Sequence, residues 1–312
     1  MTLHTGRHAT SAATPSTGLS GISPSRLEWM LRVSVAMTFI GHGAFGFVFK
    51  KGWLPFYQVL GFGPDAAQYL MPLTGIMDCT MGVLALVLPI RAAFLHLSIW
   101  GVFTALLRVP AMAIAPQAQY SWFEVAERAG NYVPAMIMVL LVGIVGNRGF
   151  IRGLFERVSV VSVSEKQAQQ IMWMLRIGVA LLLVGHAGYG LVIEKTMLMK
   201  HYASVGLTAS VVDPRTLVMS IGAFEFLLAG LVLAWPSNRL LWFVVAWKAV
   251  TELGYVTAGV PYDIFEWIER GGSYLAPAML IYMQRQCATS AVHTAPGFVV
   301  SPVLSRGATD AV

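Results

Sequence analysis

Residues 29–51 read WMLRVSVAMTFIGHGAFGFVFKK, and residues 173–195 read WMLRIGVALLLVGHAGYGLVIEK. Eleven of these 23 positions are identical, among them Trp29-Met30-Leu31-Arg32 with Trp173-Met174-Leu175-Arg176 and Gly41-His42 with Gly185-His186. The match continues down the chain. At a shift of 147, Gly75 and Asp78 meet Gly222 and Glu225, Pro89 meets Pro236, and Trp100 and Thr104 meet Trp247 and Thr251. At a shift of 142, Glu127-Arg128-Ala129-Gly130-Asn131-Tyr132 meets Glu269-Arg270-Gly271-Gly272-Ser273-Tyr274, and at 143 Pro134-Ala135-Met136 then meets Pro277-Ala278-Met279. Matches in one order at nearly constant spacing indicate two copies of one unit.

Composition says what the unit is made for. Of 312 residues, 56% are hydrophobic and 12% charged, with mean hydropathy +0.67. A soluble domain carries about 25% charged residues, so a disordered chain and an ordinary cytosolic enzyme are excluded. A membrane-crossing helix needs about 20 apolar residues. Eight stretches come close, at 29–49, 69–90, 92–112, 129–147, 171–193, 214–235, 239–260 and 272–291. The expected fold is therefore all-α and polytopic, with eight transmembrane helices as two parallel tandem four-helix repeats. The expected domains are a tail (1–28), a first unit (29–147), a basic linker (148–170), a second unit (171–291) and a second tail (292–312). In each unit the short turn at Pro89 or Pro236 makes the second and third helices antiparallel neighbours. Residues 51–57, Lys-Gly-Trp-Leu-Pro-Phe-Tyr, read as an interfacial segment with aromatics at headgroup level.

The chain has 21 Lys and Arg against 15 Asp and Glu, a surplus of +6. In a membrane protein this reflects basic loops facing the cytoplasm and anionic lipid, not nucleic acid. With eight spans, Arg26, Arg91, Arg148, Arg152, Arg157, Lys166, Arg239 and Arg285 share one side. Asp65, Glu124, Glu127, Asp213, Asp263, Glu266 and Glu269 take the other. Both termini are then cytoplasmic. Cys79 and Cys287 are too few for a disulfide framework or a thiolate cage and read as unpaired.

An ionisable group inside a span costs at least ~2.5 kcal/mol to insert and marks a candidate site. Asp78 and Glu225 suit either a structural ion pair or a proton relay. His42 and His186 suit either a helix–helix hydrogen bond or proton transfer to a quinone. Haem is disfavoured, because it needs two facing imidazoles and His96, the remaining span histidine, aligns with Phe243. Glu127 and Glu269 open the fourth helices, where they either cap or form a cluster. In the second case Arg128 and Arg270 reach inward to Asp78 and Glu225, one cluster per copy, with Tyr132 and Tyr274 closing the pocket. The copies differ: Arg108 aligns with Tyr255, and Lys248 and Glu252 replace Gly101 and Ala105. Lys248 and Glu252, one turn apart, can neutralise each other, and their presence points to the second copy as the substrate site. No metal-binding spacing, dinucleotide fingerprint or phosphate loop occurs.

The order Arg32, His42-Gly43, Asp78, then residues 127–132, repeated as Arg176, His186, Glu225 and residues 269–274, resembles the DoxX-like family of bacterial membrane proteins. The resemblance covers about 29–147 and 171–284 and departs from the family in fusing two units. It implies a bacterial inner-membrane protein and a link to thiosulfate:quinone chemistry, with His42, Asp78, His186, Glu225, Lys248 and Glu252 handling protons. Arg108, Glu127, Arg128, Tyr132, Glu269, Arg270 and Tyr274 would then hold quinone or a small sulfur compound. A redox partner subunit is implied too, since no covalent cofactor motif is present. The alternative is a transporter or scaffold with a polar pathway between the repeats.

Overall fold

The computed structural model describes residues 22–118, 121–146, 148–259 and 261–294. It is 79% helix. The first half runs α1 (Pro24–Phe47), α2 (Leu54–Val59), α3 (Pro64–Val87), α4 (Arg91–Leu106), α5 (Arg108–Ile114), α6 (Trp122–Glu127) and α7 (Ala129–Val142). After α8 (Phe150–Leu154), the same order returns. It comprises α9 (Glu165–Leu191), α10 (Thr196–Ser204), α11 (Pro214–Ala234), α12 (Asn238–Glu252), α13 (Gly254–Thr257), α14 (Ile264–Glu269) and α15 (Gly271–Thr294). Among the described residues, six segments are long and apolar enough to cross a membrane: α1, α3, α4 with α5, α9, α11, and α12 with α13. The chain is thus a multi-pass helical membrane protein. α7 is apolar but only 14 residues long.

Local chemistry sets the helix starts. Pro24, Pro64 and Pro214 occupy first-turn positions where no N–H partner is needed. Ser164 and Gln167 form a reciprocal capping box at α9. α1 and α9 therefore begin at Pro24 and Glu165, some five residues before the expected starts at 29 and 171, and α15 runs on to Thr294. The rest of the expected tails, residues 1–21 and 295–312, lies outside the described residues.

The core is formed by α1, α7, α9 and α15, through Leu31, Val35, Val133, Ile137, Leu175, Leu183, Met279 and Met283. Around it, α3 lies on α1 and α11 on α9. Glycines permit the approach: a Cβ on Gly46 would lie 2.5 Å from the Met71 carbonyl, and one on Gly190 would strike the Val218 carbonyl. Matched anchors close each pair. Arg32 Nε donates to Ala85 O at 3.1 Å and Arg176 Nε to Val232 O at 3.0 Å, each with a second bond to the next carbonyl.

The expected pairing of second and third helices fails. α3 and α4 share a short turn but touch little, as do α11 and α12; α4 instead packs on α7 and α12 on α15. The cause is the exposed apolar faces of α3 (Leu73, Ile76, Val83) and α4 (Ile99, Leu106), which suit lipid rather than each other. The linker also differs from a surface loop. Val158, Val160 and Val163 are buried, and Arg91 grips the carbonyls of Val142, Gly143 and Gly153.

Candidate functional site

The first half holds a histidine–carboxylate pair. His42, on the α1 face turned to α3, brings Nδ1 to 2.7 Å from Asp78 Oδ2, and Asp78 is fully buried. Trp53 stacks on the imidazole with ring centroids 4.4 Å apart. Trp53 is therefore buried, and the segment expected at headgroup level folds over the bundle end as a 3-10 turn plus α2. Beside the pair lies a narrow slot of about 50 Å³, lined by His42, Trp53, Phe56, Trp100, Thr104 and Arg108 among others.

The matched positions of the second half are arranged differently. Trp247 Nε1 donates to Glu225 Oε1 at 2.9 Å. At the matched positions in the first half, Asp78 is one methylene shorter than Glu225. Its Oδ1 and the N–H of Trp100 are both buried without a hydrogen-bond partner. Lys248, fully buried, puts Nζ 3.1 Å from Glu252 Oε1 and 3.6 Å from Glu225 Oε1. His186 Nε2 lies 3.3 Å from Glu252 Oε1 and 3.7 Å from Glu127 Oε1. The divergence that pointed to the second copy as the substrate site thus builds a buried ion-pair cluster there, in which Lys248 Nζ, both Glu252 oxygens and His186 Nε2 have charged neighbours but no hydrogen bond. The slot lined by His42 lies in the first copy.

The expectation of one cluster per copy is also corrected. Arg128 does not reach Asp78; it pairs with Glu269 of the other half, and Arg270 pairs with Glu127. Glycine allows this exchange. A Cβ on Gly41 would strike the backbone of Glu269, and one on Gly185 that of Glu127, so α14 sits directly on α1 and α6 on α9. At α7 the N-cap is Arg128, with no side-chain capping bond. Lys195 reciprocally reaches Glu124 at 2.7 Å, and Lys50 reaches Glu266. Arg108 Nε lies 2.9 Å from Glu124 Oε2. Burial alone would raise both carboxyls, yet Lys195 and Arg108 hold Glu124 below its ordinary range, and Lys50 holds Glu266 down to about 2.

Between the halves these groups frame a vestibule of about 230 Å³ that shares Trp53, Phe56 and Arg108 with the slot. Lys50, Arg108, Arg128, Lys195 and Arg270 face it, against the carboxylates of Glu124 and Glu266. Five cations against two acids make a cavity suited to an anion, and Tyr189, Tyr255 and Phe56 add aromatic faces under the cations. Glu127, Glu225, Glu252 and Glu269 lie behind, so that the whole cluster, with Lys248, counts six carboxylates and six cations.

Of the residues expected at a site, His42, Asp78, Arg108, Arg128 and Arg270 meet around the two cavities, and His186, Glu225, Lys248, Glu252, Glu127 and Glu269 form the floor. Tyr132 and Tyr274 do not close the pocket. Tyr132 packs its Cβ on Gly101, and Tyr274 donates to the Trp267 carbonyl at 2.5 Å. Glu124 and Glu266 match at a shift of 142 and were legible as loop charges, but Lys195 aligns with Lys51 while Lys50 aligns with Glu194, so the repeat did not announce the two lysine partners. Trp100 was legible only as a repeated position matched by Trp247, and Trp53 only as an interfacial aromatic. No known family model, curated protein or solved structure matches the chain.

Proposed function

We propose that the chain is an eight-span bacterial inner-membrane protein of two DoxX-like units with both termini cytoplasmic. In this reading it is the membrane component of a redox system that oxidises a small sulfur anion with quinone as acceptor. The observation that carries the reading is the first-half slot. An unpartnered Trp100 N–H and Asp78 Oδ1 flank the His42–Asp78 pair there, next door to a basic vestibule.

The donor set suits a quinone carbonyl: an indole N–H, an imidazole and aromatic faces. The room at present suits water, so a ring requires displacement of Phe56 on α2, a helix with no buried residue, and of Leu60 just after it. Quinone, when bound, supplies an acceptor for two electrons and two protons. The chain's own residues do the rest. His42 carries a proton on a ring nitrogen steadied by Asp78, while Arg108, Lys195, Arg128 and Arg270 hold the anion and exclude bulk water. Reciprocal ion pairs and the tight Gly130–Gly272 contact lock the halves together, which disfavours the rocking motion a transporter needs.

Purified protein given thiosulfate and a short-chain ubiquinone should reduce the quinone, and Asp78→Asn should lower the rate about 100-fold or more. Absence of both quinone reduction and co-purifying quinone would sink the redox reading. A thiosulfate-dependent rise in melting temperature on its own would then favour anion binding or transport.

A further inference from the structure

His186 is ringed by carboxylates from three other helices. Its Nε2 lies 3.3 Å from Glu252 Oε1 on α12 and 3.7 Å from Glu127 Oε1 on α6, and its Nδ1 lies 4.0 Å from Glu225 Oε2 on α11. All four side chains are buried. A neutral imidazole carries one proton, so whichever nitrogen holds it, the other turns a lone pair toward a carboxylate. Cations offset the three acids. Lys248 Nζ sits between Glu252 and Glu225, at 3.1 and 3.6 Å, and Arg270 joins Glu252 Oε2, 3.3 Å away, to Glu127. Arg128 Nε reaches Glu127 at 3.6 Å while its other end binds Glu269. The remaining titratable neighbours are Tyr189, with its ring centroid 5.6 Å away, and His201, which packs on Tyr255. Lys248 Nζ, both Glu252 oxygens, His186 Nε2 and Arg270 Nε make no hydrogen bond, so charge balance rather than directed bonding holds this cluster.

The balance turns on Arg270. Its guanidinium serves Glu127 and Glu252 on one side and also faces the vestibule, beside Lys50, Arg108, Arg128 and Lys195. We propose that an anion entering the vestibule brings a proton with it, taken up on His186. The proposal rests on the vestibule being the anion site. An anion there draws on the charge of Arg270 and Arg128, which Glu127 and Glu252 otherwise use. Three carboxylates then face Lys248 with less compensation, in a buried setting where an unbalanced charge is costly. A proton on His186 restores the balance and gives each ring nitrogen a donor toward an acid: Nε2 toward Glu252 and Glu127, Nδ1 toward Glu225. Because such coupling is reciprocal, acid in turn tightens the hold on the anion. The first half is built otherwise. His42 is paired with the single carboxylate of Asp78 at 2.7 Å, and Gly101 and Ala105 stand where Lys248 and Glu252 do. Asp263, a further buried acid at this end, neighbours Glu266 and Lys50.

Calorimetric titration with thiosulfate, in two buffers of equal pH but different ionisation enthalpy, counts the protons taken up per anion. Thiosulfate is fully ionised at neutral pH, so the protons counted belong to the protein. The expected result is at least about half a proton per anion, with Kd rising by up to about tenfold per pH unit. His186→Gln should keep saturable binding and lose both the uptake and the pH dependence. A second reading needs no variant: in wild-type protein carrying isotope-labelled histidine, thiosulfate should produce imidazolium bands in the infrared difference spectrum. Binding without proton uptake, or without those bands, overturns the proposal. So does uptake that survives in His186→Gln, or that disappears while binding persists in His42→Gln or Asp263→Asn. Absence of saturable thiosulfate binding removes the anion site itself, a result distinct from binding without a proton.

Discussion

Replacing Arg270 by Met removes the guanidinium that joins the two halves. Arg270 is 7% exposed and contacts Glu127 across the halves, Glu252 Oε2 at 3.3 Å, Glu266 Oε2 at 3.4 Å and the Tyr255 ring at 4.5 Å. The variant keeps the volume but leaves six carboxylates against five cations. Breaking one partner of a buried pair costs about 3–5 kcal/mol. Part of that is recovered here, because Glu127 keeps Arg128 Nε at 3.6 Å and Glu252 keeps Lys248 at 3.1 Å. The expected loss is therefore at the low end, about 3 kcal/mol. Unfolding by SDS titration in mixed micelles, followed by tryptophan fluorescence, measures it. Glu127→Gln alone should also destabilise, and the double variant should be more stable than the sum of the singles implies by about 1 kcal/mol or more. A loss below about 1 kcal/mol, or an additive cycle, would refute the idea that this exchange holds the halves together.

The Lys50–Glu266 pair makes acid sensitivity predictable. Glu266 falls from 4.5 to about 2, so its contribution is whole above pH 4.5 and is lost as pH drops toward 2. The shift corresponds to about 3 kcal/mol, and Glu266→Gln should flatten the melting profile in that window. Gly272→Ala drives a methyl into the Gly130 carbonyl and should destabilise strongly, whereas Gly230→Ala, with open space around it, should be neutral or stabilising by up to about 1 kcal/mol; thermal melts of the two should diverge. A reporter fused after residue 160 should be cytoplasmic, and an external signal there would overturn the eight-span arrangement.

Much of the fold was legible because the duplication repeats its anchors. Arg32 and Arg176 recur in sequence and make the same carbonyl bonds, and Gly46 and Gly190 recur and make the same close contacts. Partner choice was not legible. The Glu-Arg pairs at 127–128 and 269–270 invite pairing within each copy, yet Gly41 and Gly185 let each fourth-helix entrance lie on the other copy's first helix. Nothing in local spacing encodes that exchange. The difference between Asp78 and Glu225 was visible as a substitution. Its consequence, a tryptophan left without its acceptor, emerges only once Trp100 and Trp247 are placed beside those carboxylates.

The most direct measurement is calorimetric titration of the purified protein with thiosulfate, in the wild type, in Arg108→Gln from one half and in Lys195→Gln from the other. One saturable site per chain, weakened by both substitutions, is the predicted result. No saturable binding, or binding indifferent to either residue, would contradict a single anion site built between the two halves.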